Sequence, residues 1–337
     1  MPEAPAFWWR ERGLAGHALS PLAALYGAVA ARRMRRPGPR APIPVICVGD
    51  LTVGGAGKTP TALAIADLCR QMGRRPGFIT RGYGGGEPGP VLVDASCHSA
   101  AEVGDEPLLL ARAHPTIAGR DRLAGARLLA RLGCDVAIMD DGFQSPSVAK
   151  DLALIVVDAA RGVGNGLVFP AGPLRAPLAA QLRRAQAVIL IGQDGGGAPA
   201  VRAAARSGVP VLAARTEPVR RRGFKSKRWL AFAGIARPEK LYDSLRAAGA
   251  RLEATMDFPD HHTFSEAECQ VLLDRAAAQG LALITTEKDM ARLAGRDGAC
   301  ARLAAAAQTF PIRIVLEEPR RLVALIEEAL TGRGRRA

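Results

Sequence analysis

Short runs of apolar residues recur along the chain and alternate with stretches of helical composition. The first run, Ile43 to Val48, leads into a glycine-rich segment and then a helix predicted from about Thr61 to Met72; a second helix is predicted at Arg122 to Leu132. This alternation predicts an α/β domain with a doubly wound, mostly parallel sheet. Its other predicted strands are Phe78 to Thr80, Val91 to Val93, Asp135 to Met139, Leu152 to Val157, Ala187 to Ile191 and Val211 to Ala213.

A second, smaller α/β unit is predicted after a charged link at Arg220 to Gly223. Its helices lie near Pro238 to Ala248 and Ser265 to Ala278. Its strands are predicted at Trp229 to Ala233, Arg251 to Phe258, Ala282 to Thr285 and Ile312 to Leu316. The chain therefore divides into an N-terminal segment (residues 1–36), a larger domain (37–220) and a smaller domain (221–330).

The N-terminal segment carries an apolar run from Gly13 to Ala31. Trp8 and Trp9 precede the run, and an arginine cluster at 32–36 follows it. This order disfavours a cleaved signal peptide and favours a helix that lies in or dips into the surface of an anionic membrane. An ordinary helix packed on the domain is the alternative.

Composition adds broad limits on function. The chain has 337 residues, 48% of them apolar, and a formal charge of +14 from 46 basic and 32 acidic side chains. This charge suits anionic partners, although an overall bias towards Ala and Arg explains it equally well. Aromatic residues make up only 4%, so nucleic acid is not an expected partner. The six cysteines show no metal-ligand spacing and are expected to be reduced thiols.

The glycine-rich segment is a candidate phosphate-binding loop. Placed between a strand and a helix, such a loop directs backbone N–H groups and a helix N-terminus at phosphate oxygens. Lys58 would reach the β- and γ-phosphates of a nucleotide, and the Thr59 hydroxyl would bind Mg²⁺. The predicted nucleotide-binding residues are Thr52, Val53, Gly54, Gly55, Ala56, Gly57, Lys58 and Thr59.

Acidic residues supply candidate metal ligands and a candidate base. Asp140 and Asp141 end a predicted buried strand, where ligands of open α/β sheets bind, and one of them is expected to bind Mg²⁺. Asp105 and Glu106 lie in one further cluster, and His261 lies in another. A carboxylate paired with a histidine could deprotonate a hydroxyl acceptor, but from spacing alone these clusters could equally be loop caps or local structure.

Taken in order, eight segments resemble the tetraacyldisaccharide 4′-kinase family, the lipid A 4′-kinases. They are Val48 to Pro60, Thr80 to Gly84, Val103 to Pro107, Asp140 to Gln144, Pro170 to Arg175, Phe232 to Ala236, Phe258 to His262 and Thr285 to Asp289. The resemblance implies transfer of the ATP γ-phosphate to the 4′-hydroxyl of an acylated glucosamine disaccharide 1-phosphate at the cytoplasmic face of the bacterial inner membrane. It also implies a membrane role for the first helix and a cleft between two domains; no obligate protein partner is expected.

The resemblance also implies roles for individual residues. Asp105 would be the base that acts on the acceptor hydroxyl, assisted by His261, and Arg175 would neutralise developing phosphoryl charge. Nucleotide and metal would be handled by Lys58, Thr59, Asp140 and Asp141, with Glu106 a further candidate ligand of Mg²⁺. Two positions depart from the family pattern: Ala176 stands where an acid is usual, and Ser145-Pro146 where His is frequent.

Two rival functions share the glycine-rich loop. A nucleotide-switch protein of the GTPase or metal-insertion type is the main rival, but Thr286 to Asp289 resembles a guanine-selecting element only superficially. Metal insertion also requires Cys or His ligands at useful spacing, which the sequence lacks. A membrane-binding protein with a decayed nucleotide site is disfavoured, because the loop lysine, the threonine and both acids remain.

Overall fold

The larger domain is built on a nine-stranded sheet with strand order β13-β8-β7-β6-β1-β5-β2-β4-β3. The computed structural model describes residues 4–86, 89–219 and 224–334, so the predicted link at Arg220 to Gly223 lies outside the described residues. Neighbouring strands are parallel except for the two edge pairs, β3 with β4 and β8 with β13. The strands are β1 (Val45–Asp50), β2 (Pro76–Thr80), β3 (Val91–Leu92), β4 (Thr116–Ala118), β5 (Val136–Asp140), β6 (Leu152–Asp158), β7 (Ala187–Ile191), β8 (Val211–Pro218) and β13 (Ile312–Leu316).

A smaller sheet forms the second domain, with strand order β10-β9-β11-β12 and parallel pairing throughout. Its strands are β9 (Arg228–Ala233), β10 (Arg251–Asp257), β11 (Ala282–Thr285) and β12 (Gln308–Thr309). Trp229, Phe232 and Phe264 are the large, fully buried side chains of this domain.

Helices cover both faces of the large sheet, as a parallel sheet requires. Alternate residues of β1 pack into two separate cores. Val45 packs with Leu129 of the helix Arg122–Arg131, and Ile46 packs on the opposite face with Ile65 of the helix Lys58–Gln71. The helices are α1 (Leu14–Arg35), α2 (Lys58–Gln71), α3 (Ala100–Val103), α4 (Asp105–Ala111), α5 (Arg122–Arg131), α6 (Leu178–Leu182), α7 (Ala198–Arg206), α8 (Pro238–Ala247), α9 (Glu266–Gln279), α10 (Glu287–Leu293), α11 (Gly298–Ala306) and α12 (Pro319–Gly334), with short 3-10 helices at Ala6–Trp9 and Gly195–Gly197. The predicted doubly wound fold with a second α/β domain is confirmed.

The strand at Ile312–Leu316 was assigned to the wrong sheet. It was predicted in the smaller domain, but it pairs antiparallel with β8 of the large sheet, with Ile314 opposite Thr216. Helix α12 follows it, and Leu322 and Ile326 complete the core on the α2 face. The apolar pattern of a short strand predicts that it is a strand but does not specify its partner, which depends on how the chain returns in three dimensions.

Helix α1 lies against the larger domain along one face only. Its buried residues include Gly16, Ala23 and Gly27, and a Cβ on Gly27 would lie 3.3 Å from Pro177. The opposite face carries a row of exposed apolar side chains, Leu14, Leu22, Leu25 and Val29. This helix is long and apolar enough to cross a membrane.

Candidate active site at the domain cleft

The glycine-rich loop joins β1 to α2 at the carboxyl edge of the large sheet. Helix α2 begins at Lys58, three residues before the predicted start, and Gly57 precedes it with a φ of 93° that favours glycine. The loop is anchored where the N–H of Val53 donates to the carbonyl oxygen of Pro173 at 2.9 Å. No side chain caps the first turn of α2, so its free N–H groups are available to an anion.

Lys58 and Arg175 meet at a buried carboxylate that sequence reasoning missed. Asp50 ends β1, and its side chain is fully buried. Lys58 Nζ donates to Asp50, and Arg175 Nε lies 3.0 Å from the Asp50 carboxylate. Although burial lowers the pKa of Lys58, the charges of Asp50 and Asp141 and the hydrogen bond to Asp50 together outweigh it and hold that pKa well above its ordinary value. The available sequence signal was an acid directly before the loop.

Thr59 and Asp140 form the candidate metal site. Thr59 Oγ1 donates to Asp140 Oδ2 at 2.9 Å, whereas Asp140 Oδ1 is buried without any hydrogen-bond partner. Burial first, and then the charge of Glu106, raises the pKa of Asp140 to about 7. A buried carboxylate oxygen without a donor, beside a hydroxyl at the start of the helix that follows the candidate phosphate-binding loop, is a donor set that fits Mg²⁺.

The other two candidate ligands have cationic partners. Asp141 Oδ2 lies 3.8 Å from Lys58 Nζ and 3.7 Å from Arg175 Nη2, and these charges outweigh burial and lower the pKa of Asp141 to about 2. Glu106 accepts a hydrogen bond from Lys288 Nζ at 2.6 Å. In the described parts of the chain, no three Asp, Glu, His or Cys side chains are grouped to hold a metal by themselves. Mg²⁺ usually takes one or two carboxylates and completes its shell with phosphates and water.

Asp105 and His261, which are distant in sequence, come together across the cleft. His261 Nδ1 lies 3.5 Å from Asp105 Oδ2. Although burial alone would raise the pKa of the Asp105 carboxyl, the hydrogen-bonding contact with His261 and the charge of Arg292 hold it well below its ordinary value. Asp105 is therefore ionised at neutral pH.

Two further motifs position this pair. Gly104 has a φ of 93° and approaches the carbonyl oxygen of Tyr83 so closely that a Cβ would lie 2.5 Å from it. The ring of Tyr83 in turn makes an edge contact with His261 at a centroid distance of 5.3 Å. The glycine therefore sets the start of α4, and with it the direction of the Asp105 side chain.

Unusual backbone conformations coincide with the candidate residues. In the described part of the chain, the non-glycine residues with positive φ are Asp141, at 62°, and His261, at 58°. Such conformations cost free energy and persist where the surrounding structure fixes them, most often at functional sites. The N–H of His261 donates to the carbonyl oxygen of Gly234 at 3.1 Å, which holds this conformation.

The glycine-rich loop and His261 line one cleft between the domains, with Asp105 buried directly behind His261. The glycine-rich loop, Asp140 and Asp141 form its wall on the larger domain, and residues 235–241 and 257–261 face them from the smaller domain. Such a cleft can hold a nucleotide and a second substrate together. Asp158, at the end of β6, also pairs with Lys240 of the smaller domain at 2.6 Å.

Comparison with known proteins identifies the family. A family model described as tetraacyldisaccharide-1-P 4′-kinase matches residues 15–331. The chain belongs to this family. A tetraacyldisaccharide 4′-kinase from Methylobacterium sp. (strain 4-46) is 54% identical over 316 residues, which cover 93% of each chain. One from Bradyrhizobium sp. (strain ORS 278) is 48% identical over 330 residues, 97% of this chain and 98% of the relative.

A solved structure of the family has the same fold. The crystal structure of LpxK from Aquifex aeolicus in complex with ATP is 26% identical to this chain and superposes with a TM-score of 0.72. The match covers 94% of this chain and 100% of the other. Membership of the tetraacyldisaccharide 4′-kinase family therefore supports a kinase and removes the nucleotide-switch alternative.

The two departures from the family pattern occupy different environments. Ala176 is fully buried in the core of the large domain and does not face the cleft. Ser145, in contrast, lines the cleft near Asp141. Only the second departure therefore lies where it could contact a substrate.

Proposed function

We propose that this chain is an ATP-dependent kinase that transfers the γ-phosphate of ATP to the 4′-hydroxyl of tetraacyldisaccharide 1-phosphate and forms lipid IVA. The observation that carries the proposal is that the candidate phosphate-binding loop with its lysine lines the same cleft as His261, which pairs with the buried Asp105. The first group binds and polarises a triphosphate, and the second accepts a proton from an alcohol. Together they provide what phosphoryl transfer to a hydroxyl requires.

The loop side of the cleft would hold the nucleotide. Backbone N–H groups of residues 54–59 and the start of α2 would bind the β- and γ-phosphates. Lys58 and Arg175 lie at the end of β1, where they can neutralise charge that develops on the transferred phosphoryl group. Thr59 and Asp140 would hold Mg²⁺, which would supply positive charge to neutralise the phosphates.

The acceptor hydroxyl would approach Asp105. The carboxylate removes the hydroxyl proton as the oxygen attacks the γ-phosphorus, and the bond to the ADP oxygen breaks. His261, 3.5 Å away, orients the carboxylate and shares the proton. Phosphoryl transfer needs little covalent chemistry from the protein, so positioning and electrostatics provide most of the rate.

The cleft carries cations that suit a phosphorylated acceptor. Arg122 is buried, its Nε has no hydrogen-bond partner, and burial lowers its pKa. Arg81 and Arg120 line the same cleft. A buried guanidinium with an unsatisfied donor is costly unless an anion binds it, and an acceptor 1-phosphate would meet this need.

The exposed face of α1 would rest in the membrane that holds the acyl chains of the acceptor. Leu22 and Leu25 project from this face and are 56% and 65% exposed, while Arg32 and Arg33 follow at the carboxyl end of the helix. An apolar row beside arginines suits the surface of an anionic leaflet. Because ATP is the proposed phosphate donor, the expected location of the enzyme is the cytoplasmic face of the inner membrane.

Phosphate transfer in a defined assay tests the proposed reaction. Purified protein with ATP, Mg²⁺ and tetraacyldisaccharide 1-phosphate in detergent should form the bis-phosphorylated lipid. Lys58→Ala and Asp105→Ala should each reduce the rate by about 100-fold or more. Failure of the wild-type protein to transfer phosphate, or unchanged rates in both variants, would contradict the proposal.

Membrane contact is tested separately with two matched variants. Leu22→Glu combined with Leu25→Glu should reduce sedimentation with anionic vesicles without changing the fold, because neither side chain is buried. The control places glutamates at two exposed apolar positions elsewhere, Leu132 and Val271. Equal vesicle binding by both double variants would exclude α1 as the contact. Deletion of residues 1–36 is less informative, since it also removes the buried Met34.

A further inference from the structure

Arg292 of α10 makes a two-donor contact with the candidate base from the other domain. Its Nε donates to Asp105 Oδ2 at 2.8 Å, and its Nη2 donates to the same oxygen. Both side chains are almost completely buried, with 6% and 4% of their surface exposed. The two residues are 187 positions apart in sequence, so this contact exists only when the two domains meet.

The third guanidinium nitrogen of Arg292, Nη1, makes its hydrogen bonds within the smaller domain. Nη1 donates to the carbonyl oxygen of Gly234 at 2.6 Å and to Asp289 Oδ1 at 2.8 Å. Asp289 is itself buried and accepts hydrogen bonds from the N–H of Gly234 and from Thr286. Contacts within the smaller domain therefore fix the orientation of the guanidinium plane. This reduces the conformational entropy that Arg292 loses when it contacts Asp105.

The same carbonyl group holds the histidine of the pair. The oxygen of Gly234 accepts from the N–H of His261 as well as from Arg292. Gly234, directly after β9, thus holds both Arg292 and His261, the two residues that face Asp105 Oδ2. The other oxygen, Oδ1, accepts the N–H of Glu106 at 2.9 Å, so both carboxylate oxygens are held in place.

We infer that Arg292 is a positioning residue for phosphoryl transfer, which holds the Asp105 carboxylate against His261 and makes its productive orientation depend on contact between the two domains. The inference rests on the proposed function, because it gives Arg292 a role only if Asp105 acts on the acceptor. Arg292 does not itself contact the reacting atoms. Its effect is geometric, and a misplacement of about 1 Å at such a group reduces the rate by about 100-fold.

Two basic residues near Arg292 make it possible to distinguish the positioning role from simple bridging of the two domains. Lys288, one helical turn earlier on α10, bridges the domains as well, but it contacts Glu106. Arg296, four positions later, donates to the carbonyl oxygen of Phe264 within its own domain and does not contact Asp105. Arg296→Met is therefore a matched control that removes a guanidinium–carbonyl bond without touching the base.

Steady-state kinetics of the full chain test the inference. Arg292→Met should reduce kcat by about 100-fold with little change in the KM for ATP, and Arg292→Lys, which cannot donate in a fixed plane, by about tenfold. Arg296→Met should retain the wild-type kcat. If Arg292→Met fails to fold, judged by its thermal unfolding transition, Arg292→Lys provides the same comparison. A wild-type or higher kcat in folded Arg292 variants would overturn the inference.

A double-mutant cycle distinguishes positioning from general stabilisation. In an Asp105→Ala background, Arg292→Met or Arg292→Lys should cause no further loss of kcat, because the group that it positions is gone. Losses that multiply would instead show that Arg292 acts independently of Asp105. Full activity of Asp105→Ala would contradict the proposed role of Asp105, whatever the Arg292 variants show. Full activity of the Arg292 variants alone would contradict only the positioning role of Arg292.

Discussion

Lys58 of the phosphate-binding loop donates a hydrogen bond to Asp50, a carboxylate that the core of the large domain completely buries. Arg175 contacts the same carboxylate, so a single acid holds both cations at the end of β1. A nucleotide phosphate that enters the loop would meet two cations that are already oriented. The arrangement explains how the site keeps two positive charges close together in the absence of a ligand.

Replacement of Asp50 should weaken the protein most when no nucleotide is bound. Asp50→Ala leaves Lys58 and Arg175 without their buried partner and should reduce the free energy of unfolding by about 3 kcal/mol. ATP with Mg²⁺ should stabilise this variant more than the wild type, because phosphates replace the missing charge. Thermal unfolding with and without nucleotide measures both effects.

Asp67→Ala provides the control for this experiment, since Asp67 forms only an exposed pair with Arg70 at 4.0 Å. Such surface pairs contribute little to stability. An equal unfolding temperature in Asp50→Ala and wild type, or an equal response to nucleotide, would contradict the role given to Asp50.

Magnesium binding should depend on pH through Asp140. Burial and the charge of Glu106 raise the pKa of Asp140 to about 7, and only the ionised carboxylate binds a metal well. The affinity for Mg²⁺ in the presence of nucleotide should therefore rise roughly tenfold between pH 6 and pH 8. Asp140→Asn provides the baseline, because titration of the nucleotide phosphates remains in it. Identical pH dependence in both proteins would exclude Asp140 as the titrating ligand.

The two adjacent histidines should differ in their effect on catalysis. His261→Asn removes the imidazole near Asp105 but preserves a residue that tolerates positive φ, and should reduce kcat by about 100-fold. His262→Asn should leave kcat unchanged, since His262 contacts Glu268 at 2.9 Å. Initial rates at saturating ATP separate the two. Comparable losses in both variants would argue that the loop acts only as a structural element.

Only one cysteine should react rapidly with a thiol reagent in the folded protein. Cys97 is exposed, whereas burial raises the pKa of Cys47 and of Cys69 to about 12. A thiol with so high a pKa has almost no thiolate near pH 8. Titration with an aromatic disulfide reagent should therefore count one fast thiol in native protein, none in Cys97→Ser, and six in wild type under denaturing conditions. A second fast thiol in the native protein would show that a buried cysteine becomes accessible.

Much of the fold could be predicted because its signals are local. Parallel strands buried on both faces are continuous apolar runs, and a phosphate-binding loop needs its glycines, lysine and threonine at adjacent positions. The positions of β1, α2 and β5 along the chain follow from such signals, although their exact ends do not. The resemblance to the kinase family is likewise carried by short local segments that occur in the same order along the chain.

The contacts that complete the site could not be predicted in this way. The segment Thr285 to Asp289 is one of the family motifs, but its local pattern does not indicate that Lys288 and Arg292 face the two acids at the start of α4. Local sequence patterns also do not determine which strand pairs with β13 or which face of α1 packs on the domain. Each depends on residues that lie far apart in sequence and meet only after the chain has folded.

Sequence alone therefore predicted a phosphate-binding loop and its place in the chain, because backbone conformation and adjacent side chains carry that chemistry. The tertiary structure decided that Asp50 holds the loop lysine and that Arg292 reaches Asp105, because buried charges choose their partners by distance in space.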